Sequence, residues 1–362
     1  MAKLRVIESL HSLHGKTVVL RVDSDVDLEG EKIVDDTRLA ASIPTIELIL
    51  KLGGEINIIG HLGRPEPITN NEERTAIDEF SLHPIAKWFA HKLEGEVNPI
   101  EIGKLKGWKI TDKVNLIENI RNFKEEEDND PDFARELALL GDIYVDDAFA
   151  VSHRAHASIE GITKFLPSYA GLHMKKEVEE LSKILDEPKR PLAVLIGGAK
   201  IETKLPMVEK MHHVADYVLV GGEIAEQDRV LIKVQHEKIT GQKSAVIVSE
   251  PNEDGSDIDS KSVENFCQIL GMASTIVWNG PVGLIRKKAD RDHGIDSEKG
   301  TRELAEFIIK QKAYKVIGGG DTLAYLSEIG ILDKFDFVST GGGAMLEFLS
   351  GKKLPGIAAL ES

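Results

Sequence analysis

The sequence predicts an α/β protein with two doubly wound parallel sheets. Short apolar runs rich in β-branched residues recur along its 362 residues, as is typical of strands that are buried on both faces. Segments with helical spacing separate most of these runs. We count ten runs, which is many for one sheet, so two sheets in two domains are expected.

The ten runs are expected to form the strands in chain order. They lie at residues 16–26, 55–60, 114–120, 141–149, 191–198, 215–222, 244–249, 274–281, 314–321 and 335–343. Between the first two runs, residues 38–53 have helical spacing. Either Asp36 or Thr37 could cap that helix.

The domain boundary is expected near "AGLHMKKEVEELSKILDEPKRP", residues 170–191, because an amphipathic helical stretch there leads into a proline-bounded turn. The predicted organisation is a first domain over 1–169, a helix and hinge over 170–190, a second domain over 191–349 and a C-terminal tail over 350–362.

Composition excludes several classes of function. The formal net charge of −16 argues against general binding to nucleic acids or anionic membranes. The N-terminus lacks the apolar core of a secretory signal, and no apolar run is long enough to span a membrane. The single cysteine, Cys267, cannot form an internal disulfide and fits a reducing setting. We therefore expect a cytoplasmic protein whose anionic ligands are attracted by local clusters of cations.

Glycine-rich turns end four of the apolar runs, at residues 197–198, 221–222, 318–320 and 341–343. In open α/β sheets, ligands bind beyond the carboxyl ends of strands, where helix N-termini present free N–H groups. Glycine lets the backbone approach an oxygen closely. Tight turns with packing glycines would explain any one example, but the set of four favours a shared anion site.

Basic side chains follow the strands of the first half. They are Arg38, His61, Arg64, Arg121, Arg154 and His156. An isolated surface arginine is usually only solvated, but strand ends converge in a parallel sheet. Such a cluster suits a small ligand with phosphate and carboxylate groups, because guanidinium groups bind both in a bidentate manner.

The second half adds Lys200 and Lys204 at a helix start and Asp321 after a glycine turn. The two lysines lie on one helix face and could stabilise a phosphoryl group, or could simply be solvated. Asp321 could cap its helix or hold Mg²⁺ beside a polyphosphate. The familiar nucleotide motifs are absent: "GKT" at 15–17 precedes a strand, and the triple glycines lack dinucleotide-binding spacing.

Taken together, these blocks resemble the phosphoglycerate kinase family. The resemblance covers nearly the whole chain in the family's order and is weakest at about residues 222–262. The blocks that carry it are "RVDSDVDL", "DDTRLAASIPTIELIL", "GHLGRP", "LIENIR", "VDDAFAVSHRAHAS", "GGAKIETK", "VWNGPVG", "GGGDTLAYL" and "STGGGAMLEFLSGKKLPGIAAL".

The resemblance implies two Rossmann-like domains that face each other across a cleft, with the C-terminal tail returning to the first domain. It implies reversible phosphoryl transfer between 1,3-bisphosphoglycerate and ADP, giving 3-phosphoglycerate and ATP in glycolysis and gluconeogenesis. It also implies a monomer that uses Mg²⁺. By matching position, the first domain would bind the glycerate through Asp23, Ser24, Asp25, Arg38, His61, Leu62, Gly63, Arg64, Arg121 and Arg154.

The same resemblance implies a nucleotide site in the second domain, with Asp321 as the Mg²⁺ ligand. The matching nucleotide residues are Lys204, Gly255, Asn279, Arg286, Gly319, Gly320, Asp321 and Thr322. The catalytic group around the moving phosphoryl would be Arg38, Lys200, Lys204, Gly341, Gly342 and Gly343.

Several positions depart from the family pattern. Asp25 stands where the family commonly has Asn, and Arg286 stands where a Glu usually contacts the ribose. The segment after Gly222 is shorter than the family's, near the expected adenine pocket. Two alternatives to an ordinary kinase therefore stay open. One is a kinase with altered nucleotide preference, and the other is a catalytically weak paralogue that binds phosphorylated metabolites or a protein partner.

Overall fold

The computed structural model describes residues 3–65, 79–198, 201–225, 244–286 and 296–361. Contacts between Cα atoms divide the chain into two units. Unit 1 comprises Met1–Glu179 with Lys353–Ser362, and unit 2 comprises Glu180–Lys352. The division falls within a helix that runs from Leu172 to Asp186.

Unit 1 is built on a mixed sheet. Its strands are β1 (Thr17–Arg21), β2 (Leu28–Glu29), β3 (Lys32–Ile33), β4 (Glu55–Ile59), β5 (Asn98–Ile102), β6 (Leu105–Lys109), β7 (Val114–Ile117), β8 (Ile143–Asp146) and β9 (Ser168–Ala170). Strands β2 and β3 form a separate hairpin, and the others form one sheet in the order β5-β6-β7-β4-β1-β8-β9. Strands β7, β4, β1, β8 and β9 are parallel, whereas β5 and β6 add an antiparallel edge.

The helices of unit 1 follow the strands. They are α1 (Thr37–Lys51), α2 (His83–Lys92), α3 (Lys124–Glu127), α4 (Pro131–Ala138) and α5 (Leu172–Asp186), which continues into unit 2. Short 3₁₀ turns lie at Ile7–Ser9, Ile120–Asn122, Phe149–Val151 and Gly161–Lys164. Helix α4 begins where its sequence directs, because the Asp130 carboxylate accepts from the first free N–H groups and Pro131 occupies the first helical position.

Unit 2 is built on a fully parallel sheet. Its strands are β10 (Leu192–Ile196), β11 (Tyr217–Val220), β12 (Ala245–Val248), β13 (Thr275–Asn279), β14 (Tyr314–Gly318) and β15 (Phe337–Val338), in the order β12-β11-β10-β13-β14-β15. Its described helices are α6 (Ile201–Val214), α7 (Ser260–Leu270), α8 (Lys299–Ile308), α9 (Gly320–Glu328) and α10 (Gly342–Leu349), with a 3₁₀ turn at Leu332–Lys334.

The C-terminal segment belongs to unit 1. Helix α11 (Pro355–Leu360) is held by backbone hydrogen bonds, since Gly356 N donates to Ser152 O and Arg5 N donates to Leu360 O. A Cβ at Gly356 would lie 2.9 Å from Ile159 Cγ2, so this helix approaches its neighbours closely. In the described part of the chain, no helix has both the length and the apolar character needed to cross a membrane.

Each sheet buries its own apolar core. In unit 1, Leu20, Ile58 and Phe89 are fully buried in one cluster. In unit 2, Leu195 and Trp278 are fully buried in another. Each fully buried aliphatic or aromatic side chain contributes roughly 1.5–3 kcal/mol, so each unit has a substantial core of its own.

The α/β architecture and all ten predicted strands are confirmed. The sequence interpretation did not include β5, β6, β9 or the β2–β3 hairpin, which are short or antiparallel. Asp36, one of the two residues expected to cap α1, occupies the N-cap position. Asp36 makes no capping hydrogen bond, because its carboxylate accepts from Trp88 Nε1 at 2.9 Å. Asp35 Oδ1 instead accepts from Thr37 N at 2.8 Å.

Candidate active site

In unit 1, the predicted glycerate residues lie in the loops and turns that follow the central parallel strands, or at the start of α1. Strands β7, β4, β1 and β8 are adjacent in the sheet and parallel, so their carboxyl ends meet at one edge. Residues 22–25 follow β1, residues 60–64 follow β4, and Arg121 follows β7. The sheet topology thus brings three of the predicted blocks together.

Arg38 is paired with the loop after β1. Its Nε lies 3.5 Å from the buried Asp23 Oδ2, and its Nη1 donates to Asp25 O at 2.6 Å. Burial raises the pKa of Asp23, and the Arg38 guanidinium partly offsets that rise. The charge of Asp23 in turn raises the pKa of Arg38. Arg38 is therefore a fixed, permanently charged group at the start of α1.

The loops after β1 and β4 are joined by hydrogen bonds. Asp25 Oδ1 accepts from Gly63 N at 2.8 Å, and Asp25 Oδ2 lies 3.7 Å from His61 Nε2. Ser24 is fully buried, and its hydroxyl donates to His61 O at 2.8 Å. Ser24 and the buried Leu62 therefore shape the loops with their side chains, whereas Asp25 is partly exposed.

Asn119 positions Arg121 and was not predicted. Its Nδ2 donates to Leu62 O at 2.7 Å and to Phe80 O at 2.9 Å. Its Oδ1 accepts from Arg121 N at 3.0 Å. Arg121 Nη1 then donates to Gly63 O at 3.0 Å. The buried amide of Asn119 thus ties the loop after β4 to the turn that carries Arg121.

Arg121 and Arg154 share a carboxylate. Glu127 Oε1 lies 3.5 Å from Arg121 Nε and 4.0 Å from Arg154 Nη1. Burial and the neighbouring arginines lower the pKa of Arg121 to about 10, so it stays charged at neutral pH. Arg64 is exposed to solvent. Among the described residues, Arg38, Arg121 and Arg154 have carboxylate neighbours, and Arg64 is the most accessible of the four predicted arginines.

Burial favours the neutral form of His61 and His156, although the sequence analysis grouped both with the cations. Burial, with a smaller contribution from nearby arginines, lowers the pKa of His61 well below its usual range. The same causes lower the pKa of His156 to about 3. Both side chains are buried. Sequence reasoning places a histidine at a strand end but does not reveal how far the ring is from water.

Arg21 was also missed as a member of the site. It is the last residue of β1 and is 1 % exposed, and its Nη2 lies 2.9 Å from His61 Nδ1. The sequence did contain a signal, namely an arginine at the end of an apolar strand. An arginine cannot be buried at such a place without several acceptors, so polar partners were to be expected around Arg21.

In unit 2, the glycine turns form a continuous row at the carboxyl ends of neighbouring strands. A Cβ on Gly222, after β11, would lie 2.8 Å from Gly198 N, after β10. A Cβ on Gly280, after β13, would overlap Gly197 O. These backbones are therefore in direct contact, and no side chain can be added between them without displacement.

The row continues through the two triple-glycine stretches. A Cβ on Gly319 would lie 3.2 Å from Gly280 N, and a Cβ on Gly342 would lie 3.0 Å from Gly319 Cα. Helix α9 begins at Gly320 and α10 begins at Gly342. The free N–H groups of both helix N-termini therefore start within this row, which is an arrangement suited to phosphate oxygens. Gly341 and Gly343 flank Gly342 in the same turn.

Lys204 lies beneath the glycine row. It is 7 % exposed, and its Nζ donates to Gly197 O. A Cβ on Gly198 would lie 2.6 Å from the same nitrogen. The ammonium group is thus directed at the turn after β10. Lys200, the other predicted lysine, lies outside the described residues.

Asn279 and Thr322 are buried members of the predicted nucleotide set. Asn279 is 1 % exposed, and its Nδ2 lies 3.6 Å from Met345 Sδ on α10. Thr322 is fully buried, and its Oγ1 has no hydrogen-bond partner in the described part of the chain. Both side chains therefore support the turns from within, and the contacts open to a ligand there are backbone groups.

Asp321 fits a metal that arrives with its ligand. It is exposed in the first turn of α9. Within the described ranges there is no group of three or more metal-ligating side chains. Mg²⁺ commonly takes only one or two protein carboxylates and completes its shell with phosphates and water, so one exposed carboxylate beside the glycine row is compatible with it.

Gly255 and Arg286 lie in adjoining loops. Gly255 has a positive φ of 74°, and Arg286 N donates to Glu298 Oε1 at 2.9 Å. The buried Asp257 joins these loops to α8, since its Oδ2 accepts from Gly300 N at 2.6 Å. A cavity of about 540 Å³ lies between the loop at 251–260 and the start of α8, and the charged side chains that line it are mostly acidic, with Lys299 among them. This lining disfavours anionic ligands inside that cavity, which neither Gly255 nor Arg286 lines.

Comparison with known proteins identifies the family. A family model described as phosphoglycerate kinase matches residues 7–243 and 227–352. A protein of Dictyoglomus turgidum named phosphoglycerate kinase is 36% identical over 409 aligned positions, with 100% of both chains covered. A protein of the same name from Coprothermobacter proteolyticus is 37% identical, with 99% of both chains covered.

Solved structures agree. The structure of phosphoglycerate kinase from Coxiella burnetii has a TM-score of 0.76 and 32% identity, and covers 99% of this chain and 98% of that chain. The phosphoglycerate kinase from Pyrococcus horikoshii has a TM-score of 0.78 and 27% identity over the same shares.

The comparisons also bear on length. The alignment of 409 positions is longer than this chain of 362 residues, so the relative carries residues that this chain lacks. The two segments of the family match overlap at residues 227–243. This overlap lies within the stretch where the sequence indicated a shortened second domain. Across its whole length, the chain belongs to the phosphoglycerate kinase family.

Proposed function

We propose that this chain catalyses the reversible transfer of a phosphoryl group between 1,3-bisphosphoglycerate and ADP, with 3-phosphoglycerate and ATP as the products. The observation that carries the proposal is that the chain contains two arrangements, one in each unit. Arginines gather at the strand ends of unit 1, and peptide groups form a bare row at the strand ends of unit 2.

These arrangements suit phosphoryl transfer. The moving group spreads negative charge over its oxygens, so fixed cations and N–H groups supply most of the catalysis. No acid–base pair is needed, because the acceptor is already an anionic carboxylate or phosphate oxygen. We assign Arg38 and Lys200 to the charge of the moving phosphoryl, together with the amides around Gly341–Gly343.

Unit 1 is the proposed glycerate-binding domain. Arg64, Arg121 and Arg154 supply positive charge for the phosphate and carboxylate groups. His61 is neutral, so it acts through a hydrogen bond and not through charge. Asp25 can accept from the glycerate hydroxyl, which would offset the negative charge that it adds in place of the family's Asn.

Unit 2 is the proposed nucleotide-binding domain. The turns that begin α9 and α10 receive the nucleotide phosphates, and Lys204 supports the turn after β10. Asp321 is the proposed Mg²⁺ ligand, and Mg²⁺ when bound neutralises charge on the nucleotide phosphates. We further propose that the protein acts as a cytoplasmic monomer, which size-exclusion chromatography with light scattering would test.

A changed nucleotide preference is the second candidate. Arg286 stands in place of the family's usual ribose-contacting Glu. Its backbone is fixed by Glu298. Hydrogen bonds from Ser256 lower the pKa of Asp254, and the charge of Arg286 adds a smaller contribution in the same direction. A positive side chain at this place favours a phosphate or a different base edge. Comparing ATP, GTP and pyrophosphate at equal concentration tests this, and a strong preference for ATP would exclude it.

A coupled assay tests the main proposal. Purified protein is given 3-phosphoglycerate, Mg²⁺ and ATP, and formation of the acyl phosphate is followed through a reductive coupling enzyme. We expect turnover that needs all three components. The variant Arg135→Ala serves as a control, because Arg135 is exposed on α4. Absence of turnover with measurable glycerate binding would favour the catalytically weak paralogue.

A further inference from the structure

Arg21 is a buried cation that the proposed chemistry does not use directly. It is 1 % exposed and donates three hydrogen bonds. Nε donates to Ser158 Oγ at 3.0 Å, Nη1 donates to Val22 O at 2.5 Å, and Nη2 faces His61 Nδ1 at 2.9 Å. The guanidinium is therefore held from three directions.

The acceptor at Ser158 is itself fixed. The Ser158 hydroxyl donates its one hydrogen to Glu126 Oε1 at 2.5 Å, so its lone pair faces Arg21. Glu126 Oε2 accepts from Ser158 N at 2.9 Å. This buried chain fixes the orientation of the guanidinium before any ligand binds.

The contact with His61 has only one chemical interpretation. A guanidinium has donors and no acceptor, so His61 Nδ1 must be the acceptor and must carry no proton. A neutral imidazole then carries its proton on Nε2. An imidazolium is excluded, because it would set an N–H of the ring against an N–H of Arg21.

The opposite side of the ring faces the proposed glycerate site. His61 Nε2 lies 3.7 Å from Asp25 Oδ2, and Asp25 Oδ1 accepts from Gly63 N. That distance is too long for a hydrogen bond, so the Nε2–H group is left with capacity for another acceptor. Burial of the ring beside Arg21 lowers the pKa of His61, in agreement with a neutral donor.

We propose that Arg21 is a positioning residue, which fixes His61 as the Nε2–H tautomer and so presents one neutral hydrogen-bond donor to an oxygen of the glycerate. The identity of the ligand rests on the proposed function, whereas the tautomer does not. The competing explanation is that the Asp25 carboxylate selects the same tautomer from the other side of the ring.

The tautomer is measured by ¹⁵N–¹H correlation NMR of the ligand-free full chain. In the wild type we expect His61 Nδ1 to resonate as a bare acceptor and Nε2 as a protonated nitrogen. Arg21→Met removes the donors, and we expect a mixture of tautomers. Asp25→Asn should keep the single Nε2–H form. A proton on Nδ1 in the wild type overturns the proposal. So does a result in which Asp25→Asn loses the single Nε2–H form while Arg21→Met keeps it.

Affinity gives the second readout. By calorimetry, Arg21→Met should raise the Kd of 3-phosphoglycerate by the inverse of the fraction of His61 that stays in the Nε2–H form, which is about twofold for an equal mixture of tautomers. Arg135→Met is the matched control with an unchanged Kd. A Kd for Arg21→Met equal to that of wild type overturns the positioning role. If Arg21→Met does not fold, the spectra of the wild type and Asp25→Asn decide. Lack of kinase turnover in the wild type would reject the proposed function and leave the tautomer measurement valid.

Discussion

Arg64 and His61 lie in the same loop after β4 and differ in exposure. Arg64 is exposed, whereas His61 is 1 % exposed and neutral. Sequence reasoning grouped them as cations, because residue type and position at a strand end are visible in the sequence. Their distance from water is not, since it depends on Arg21, Ser24 and the packing of two loops.

Replacing Arg64 should weaken glycerate binding with little effect on the fold. Arg64→Ala removes an accessible charge, and hydrogen bonds to charged groups contribute about 1.5–3 kcal/mol, so the Kd of 3-phosphoglycerate should rise roughly 10- to 100-fold. Calorimetry checks this, with thermal unfolding to verify the fold and Arg135→Ala as the control. An affinity equal to that of wild type would remove Arg64 from the site.

At the scale of elements, the sequence predicted the strands and glycine turns well and the short edges poorly. Buried parallel strands such as β10 and β13 are continuous apolar runs bounded by glycine, and this pattern needs no tertiary information. The β5–β6 pair is half-exposed and begins with "NPIEI", in which a proline conceals the strand. The sequence predicted Asp36 as a possible cap of α1, and Asp36 does occupy the N-cap position. That its carboxylate binds Trp88 and not the helix N–H groups is visible only in the tertiary structure.

The glycine before α9 and the first glycine of α9 should respond differently to alanine. Gly319 has a φ of 98°, and its Cβ would lie 3.2 Å from Asn279 Oδ1, whereas a Cβ on Gly320 meets nothing within 4 Å. Gly319→Ala should destabilise unit 2 by about 1–3 kcal/mol, and Gly320→Ala should stabilise it by up to about 1 kcal/mol. Urea unfolding followed by Trp278 fluorescence, with Trp88 and Trp108 replaced by Phe in both proteins, measures both effects. Equal effects would contradict the described turn.

Helix α5 should make unit 1 sensitive to acid through His173. Its side chain is largely buried, and Glu177 Oε1 lies 3.6 Å from its Nε2. Burial, with a smaller contribution from Lys176, lowers the pKa of His173 to about 4. A lowered histidine pKa gives stability that is present above the unfolded value of about 6.5 and is lost as pH falls towards the folded value.

The expected loss between pH 7 and pH 5 is on the order of 2 kcal/mol for His173 alone. His173→Gln should remove this part of the pH dependence in urea unfolding. The pKa of Asp146 is raised to about 7 and that of Asp147 to about 6. These two groups increase the stability as pH falls, but they are present in both the wild type and His173→Gln and so do not affect the comparison. Identical changes with pH in the two proteins would show that His173 does not titrate as described.

At the scale of the whole molecule, the two units have separate cores, so their stabilities can be measured separately. Two tryptophans, Trp88 and Trp108, lie in unit 1, and Trp278 lies in unit 2. At 100 times its Kd, 3-phosphoglycerate should stabilise the unit that binds it by about 2.7 kcal/mol. Trp278→Phe reports unit 1 alone, and a variant with Trp88→Phe and Trp108→Phe reports unit 2 alone. A shift confined to the second variant would contradict the assignment of the glycerate to unit 1.

The most direct test of the central claim is the turnover of Arg38→Ala with saturating 3-phosphoglycerate and Mg-ATP. Arg38 is the proposed cation of the moving phosphoryl, and an arginine in that role can be worth about 10³–10⁵ in rate. With the fold verified by circular dichroism and Arg135→Ala as the control, we predict that kcat falls about 10³-fold or more. A kcat within about tenfold of wild type would contradict the assignment of fixed positive charge as the source of catalysis.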